Sequence, residues 1–132
     1  MRYMLDTNIC IEMLRGRGVR VLKRIRRCAV GDIGISIITL AELEHGVWKS
    51  ASPEKNQIAL NIFRAYLEQA DFDAAAARAY GEIRARLERE GRVIGPMDLL
   101  IAAHALALDV TLVTNNEREF RRVAGLRVEN WV

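Results

Sequence analysis

Apolar and polar positions alternate between two periods along the chain, and the switches between them outline its elements. Arg2 to Leu5 is a short apolar run broken at once by Asp6-Thr7-Asn8, which reads as a buried strand followed by a short helix from Ile9 to Leu14. Gly16 and Gly18 mark a turn, and Val19 to Cys28 reads as a second helix. The β-branched stretch Ile33 to Ile38 predicts a second strand, with Thr39 opening a helix towards Ser50. Pro53 suits a helix N-terminus, and Ile58, Ile62, Phe63, Tyr66 and Leu67 keep helical spacing to about Gln69, before a weak strand at Ala70 to Phe72.

Asp73 can cap a long helix from Ala74 to Glu90, closed by Gly91. Gly95-Pro96 starts another, apolar from Leu99 to Leu108 except for His104, and therefore expected to be buried on most sides. Thr111 to Thr114 is a further strand, Glu117 to Val123 a helical turn or two, and Leu126 to Trp131 an edge strand. Strands separated by helices over the whole length imply an α/β fold, a parallel sheet covered on both faces. At 132 residues the chain is expected to form one domain, 1–132, around a single core.

Composition narrows this picture. No run approaches 18 uncharged apolar residues, so the expectation is a soluble, cytoplasmic protein without a membrane span or signal peptide. Cys10 and Cys28 are far apart and lack metal-ligand spacing, which suits reduced thiols. The net charge is only +3, but seven basic residues and no acid lie between Arg15 and Arg27. Such a segment either meets phosphate oxygens or is a solvated face in an arginine-rich chain.

The acids carry the candidate chemistry. In open parallel sheets ligands sit beyond the carboxyl ends of the strands. Asp6 follows the first strand, Glu42 lies in the first turn of the helix after the second, Asp98 in the first turn of the helix opened by Pro96, and Glu119 just beyond the fourth strand. Right-handed crossovers would bring them to one edge. Each has a plainer alternative. Asp6, Thr7 or Asn8 could simply cap a helix; Thr39-x-x-Glu42 has capping-box spacing; Asp98 could serve only the helix dipole. If they do converge, they repel one another and raise one another's pKa, a conflict that a hard divalent cation resolves. Metal-assisted phosphodiester hydrolysis is the reaction such a site suits.

Weaker signals point elsewhere. Glu42-x-x-His45 has di-iron spacing but no second copy, and a haloacid-dehalogenase-like phosphatase would want an acid where Asn8 stands. His104 stands about two-thirds of a turn round the helix from Asp98, which favours core packing or a buried hydrogen bond.

Four separated stretches, Met4-Leu5-Asp6-Thr7-Asn8, Ile38-Thr39-Leu40-Ala41-Glu42-Leu43-x-x-Gly46, Gly95-Pro96-Met97-Asp98-x-x-Ile101-Ala102-x-His104-Ala105 and Leu112-Val113-Thr114-Asn115-Asn116-x-Arg118-Glu119-Phe120, together resemble a PIN-domain toxin of the VapC type. The resemblance implies a PIN-like three-layer α/β fold with four to five parallel strands. It also implies a Mg²⁺- or Mn²⁺-dependent endoribonuclease of a type II toxin-antitoxin system, a homodimer held inactive by a VapB-type antitoxin and acting on structured RNA such as tRNA. By position, Asp6 and Asp98 are the metal ligands, Glu42 completes the catalytic triad and Glu119 matches a fourth acidic position. One departure is Asn115-Asn116, where many members carry an acid; it leaves a second metal in doubt. A catalytically weak RNA- or antitoxin-binding module is the competing expectation. The antitoxin's chain is expected to lie over Ile9, Met13 and Leu14, with a basic side chain inserted among the acids.

Overall fold

The computed structural model describes residues 1–132. Five strands, β1 (Tyr3–Leu5), β2 (Ile33–Ser36), β3 (Glu68–Ala70), β4 (Thr111–Val113) and β5 (Val128–Glu129), form one sheet in the order β3-β2-β1-β4-β5. All four pairings are parallel, with Tyr3 opposite both Ile33 and Thr111. Seven helices connect them: α1 (Thr7–Leu14), α2 (Val19–Ile25), α3 (Ile37–Lys49), α4 (Pro53–Arg64), α5 (Ala74–Arg89), α6 (Pro96–Leu108) and α7 (Glu117–Phe120).

Neighbouring strand residues point to opposite faces, and β1 shows the result directly. Met4 joins a cluster with Leu87, Leu99, Ile101 and Leu112 beneath α5 and α6. Leu5 joins the other, with Ile9, Ile35, Leu43 and Val113 beneath α1 to α4. Three layers follow. α6 is buried on most sides, as its uninterrupted apolar run predicts; Leu99 and Ile101 to Ala105 are all inaccessible. No helix is long and apolar enough to cross a membrane.

Several element boundaries differ from those read in the sequence. β2 stops at Ser36, whose hydroxyl accepts the Ile38 amide at 3.0 Å, so α3 begins two residues before Thr39. Ile37 and Ile38 look like strand residues by branching, but in the first turn of α3 they pack on the two different clusters. α2 ends at Ile25 rather than Cys28, and α4 at Arg64. β3 falls at Glu68–Ala70, ahead of the expected Ala70 to Phe72, because an edge strand with two exposed polar residues carries no apolar alternation. Gly34 lets β3 approach: a Cβ there would stand 2.6 Å from the Glu68 carbonyl oxygen.

Candidate active site

Asp6 ends β1 and also caps α1, so the capping alternative and the strand-end reading are both correct. Its Oδ1 accepts the Ile9 amide at 2.9 Å and its Oδ2 accepts the Thr114 hydroxyl from the end of β4. Thr114 is itself oriented, its Oγ1 accepting the Asn116 amide at 2.9 Å. Asp6 is 2% exposed. Burial pushes its carboxyl above the ordinary value, the Thr114 and Ile9 bonds pull it down, and the Glu42 charge pushes it up again.

Glu42 is the sixth residue of α3 and makes no capping box, because Ser36 has taken the cap. Its Oε1 accepts the Thr7 hydroxyl at 2.6 Å, and Thr7 Oγ1 lies 3.2 Å from Thr39 Oγ1. The residue expected to open the helix is therefore a buried prop beside the acid.

Asp98 stands at the third position of α6, and Glu119 reaches it from α7. The Gly95 amide donates to Glu119 Oε1 at 2.9 Å, while Asn116 Nδ2 donates to Glu119 Oε2. A Cβ on Gly95 would lie 3.6 Å from Asp98 Oδ2 and 3.7 Å from Glu119 Oε1. Both carboxylates thus lie at contact distance from the Gly95 backbone. The Asp98 carboxyl is pushed up to about 7, first by burial, then by the charge of Glu119 and a hydrogen bond shared with it, then by Asp6 and Glu42. A helix-dipole role would lower that pKa, so burial, with the neighbouring acids adding to it, outweighs the dipole.

No ion pair involves Asp6, Glu42, Asp98 or Glu119. The four acids influence one another electrostatically without a basic partner, Glu42 acting on Asp6 and Glu119, Asp6 and Glu42 on Asp98, and Asn116 orients Glu119 through an i, i+3 contact visible in the sequence. Sequence reasoning offered Thr7 only as a possible cap and Thr114 only as a strand residue; their partners lie 35 and 108 residues away, where local spacing says nothing. His45 is exposed on α3. Cys10 is buried, with its thiol pKa pushed up by burial, and Cys28 is half-buried; both are free.

The basic segment is only partly available. Arg17 is held by both Glu12 oxygens, and Arg24 pairs with Glu129 at 3.3 Å and lies over the Trp131 ring at 4.9 Å. Arg20, Lys23, Arg26 and Arg27 remain exposed without an ion pair. The expected apolar landing site around Ile9 needs correction: Ile9 is fully buried and Met13 and Leu14 pack against the same cluster, because α1 is pressed onto the sheet. Exposed apolar side chains are scattered over the molecule, Val30 and Tyr66 among them, and three of them, Trp48 at 74%, Ile58 at 62% and Ile62 at 59%, lie on α3 and α4.

A PIN domain is matched over residues 3–126. The chain is 48% identical over 132 residues to Ribonuclease VapC2 of Rickettsia felis, covering 99% of this chain and 98% of that one. It is 45% identical over 131 residues to the tRNA(fMet)-specific endonuclease VapC of Shigella flexneri, again covering 99% and 98%. It superposes with a TM-score of 0.96 and 41% identity on a chain in the crystal structure of DNA-bound VapBC from Salmonella typhimurium, over 100% of this chain and 99% of that one. The chain belongs to the VapC branch of the PIN-domain family.

Proposed function

We propose that this protein is a divalent-cation-dependent endoribonuclease, the toxin of a type II toxin-antitoxin pair, acting on structured RNA and on tRNA first of all. The observation that carries the reading is the group of acids at the strand ends, with the Asp98 carboxyl pushed up to about 7 by burial and then by Glu119, Asp6 and Glu42, and no basic side chain paired with any of them. The relatives named as ribonucleases and as a tRNA(fMet)-specific endonuclease support the activity and the substrate class.

The donors are carboxylate oxygens alone, which suits Mg²⁺ or Mn²⁺. No three Asp, Glu, His or Cys side chains converge into a ready-made cage. Asp6 and Asp98 would be the protein ligands of an ion that keeps most of its waters. When bound, the ion lowers the pKa of a water and stabilises charge on a phosphate. The chain's own groups supply the geometry. Asp6 is fixed by the Ile9 amide and the Thr114 hydroxyl. Glu42, anchored through Oε1 by Thr7, has Oε2 to orient an attacking water. Glu119 is held at both oxygens by the Gly95 amide and Asn116 and stands beside Asp98, whose raised pKa a bound cation would lower. Arg20, Lys23, Arg26 and Arg27 offer phosphate contacts at a distance.

A VapB-type antitoxin is the proposed partner, supported by the relatives solved as VapBC complexes. Its chain would lie over the exposed apolar side chains of the α3–α4 hairpin, and a homodimer is part of the same proposal. Incubation of purified protein with total tRNA in Mg²⁺, Mn²⁺ or EDTA tests the function. Discrete fragments with metal and none in EDTA are expected, and undiminished cleavage in EDTA overturns the metal reading.

A further inference from the structure

One buried polar pair lies outside the acidic edge. His104 on α6 is 1% exposed, and its Nδ1 lies 2.7 Å from Ser36 Oγ. Ser36 is fully buried, ends β2 and caps α3 by accepting the Ile38 amide. A hydroxyl that accepts from an amide still has a proton to donate, and leaving it without an acceptor in a dry site is unfavourable. Nδ1 is that acceptor, which makes the ring neutral with its proton on Nε2. Burial lowers the ring's pKa against the weaker pull of the Asp71 backbone and the Asp73 and Asp71 carboxylates, so it stays neutral. Nε2 is turned to the Asp71 backbone without completing a hydrogen bond, and Phe72 packs on the ring at 5.2 Å. Leu at position 104 would fill the space without an unsatisfied N–H, so packing alone does not account for the histidine.

We propose that His104 is a positioning residue, whose bond to Ser36 pins α6 against the start of α3 and thereby sets the spacing of Asp98 and Glu42. This rests on those two acids acting together as described above. Each acid stands six residues from the link, Asp98 before His104 and Glu42 after Ser36. That is about 9 Å of helix at 1.5 Å per residue. A rotation of roughly 10° about the pin moves an acid by about 1.5 Å at that radius, and a misplacement of about 1 Å can cost on the order of a hundredfold in rate. Apolar contacts between α3 and α6 hold the helices together but have no preferred direction, whereas the hydrogen bond is directional.

The variants H104L, H104N, S36A and H104L/S36A separate positioning from packing. Asn keeps an acceptor close to where Nδ1 stands; Leu keeps volume alone. Single-turnover tRNA cleavage in Mg²⁺, melting temperature and hydrogen exchange of the Ile38 amide are the readouts. H104L is expected to lower the maximal rate roughly 10- to 100-fold with little change in half-saturating concentration. H104N should recover most of that loss, and the double variant should be no slower than the slower single one. Exchange at Ile38 should quicken in H104L and S36A but not in H104N. A wild-type rate in H104L, a loss carried by half-saturation, an additive double variant or an H104N as slow as H104L would each overturn the positioning role. If H104L melts too low to assay, S36A carries the comparison, and full activity there overturns the role as well. Absence of cleavage by the wild-type protein itself would instead overturn the function proposed for the site, whatever the exchange data show.

Discussion

Asp6 and Asp98 are both withdrawn from water beside other acids, yet they are held in different ways. Asp6 has a donor on each oxygen, and those bonds counter the effect of burial on its pKa. Every influence on Asp98 pushes its pKa upward. One half of the edge is pre-oriented by hydrogen bonds, and the other is left strained by like charges. The two halves thus differ in rigidity and in how strongly each would respond to a positive charge brought near it.

The sharpest way to break the contrast is to neutralise each acid. Asp6→Asn and Asp98→Asn should each reduce tRNA cleavage by on the order of 10²–10³-fold or more, measured with excess enzyme, while circular dichroism reports an intact fold. Full activity in either variant removes that residue from the reaction.

Stability should then divide the two halves. Thr114→Val leaves one oxygen of the buried Asp6 carboxylate without its donor and should cost about 1–3 kcal/mol in urea denaturation. Asp98→Asn removes repulsion, so in EDTA it should unfold no earlier than wild type. Mn²⁺ should stabilise wild type more than Asp98→Asn, through preferential binding to the folded state. An Asp98→Asn protein that is less stable in EDTA would show that the acid serves its helix after all.

The pH dependence gives a smaller, more specific signal. Asp98 titrates near 7 in the folded protein against an ordinary value of 3.8, so the folded state binds the extra proton between those limits. Metal-free stability should therefore fall as pH rises from about 4 to about 7, and that contribution should be missing in Asp98→Asn. Carboxyl NMR titration should find the Asp98 midpoint near 7 without metal. The smallest expected effect belongs to Asn116→Asp, which adds a charge beside Glu119 and should move that midpoint further upward.

The positions of the four acids were legible in the sequence because strand ends and helix starts are local features. Asp6-Thr7-Asn8 breaks an apolar run, and Pro96 fixes where Asp98 falls in its helix. The capping-box reading of Thr39 and Glu42 failed because Ser36, three residues earlier, closes the helix with the same chemistry while two isoleucines imitate a strand. The props were hidden for a different reason. Thr7 meets Glu42, and Thr114 meets Asp6, only after the sheet has placed β1 beside both β2 and β4. The edge strand β3 was misplaced for lack of any apolar signature, and the burial of Ile9 could be read only once α1 was seated on the sheet.

The strand order has a consequence for synthesis. β1 sits at the centre, flanked by β2 from the first third of the chain and by β4 from the last. A ribosome that has delivered residues up to Gly95 has exposed Asp6 and Glu42 but neither Asp98, Thr114 nor Glu119, and Asp6 lacks the hydroxyl that fixes it. The nascent chain thus carries an incomplete acid edge until nearly all of the chain has emerged, which postpones nuclease activity beyond the point where the RNA of the translating machinery lies closest at hand. A ribosome-stalled fragment ending at Gly95 should leave tRNA intact under conditions in which the finished chain cleaves it.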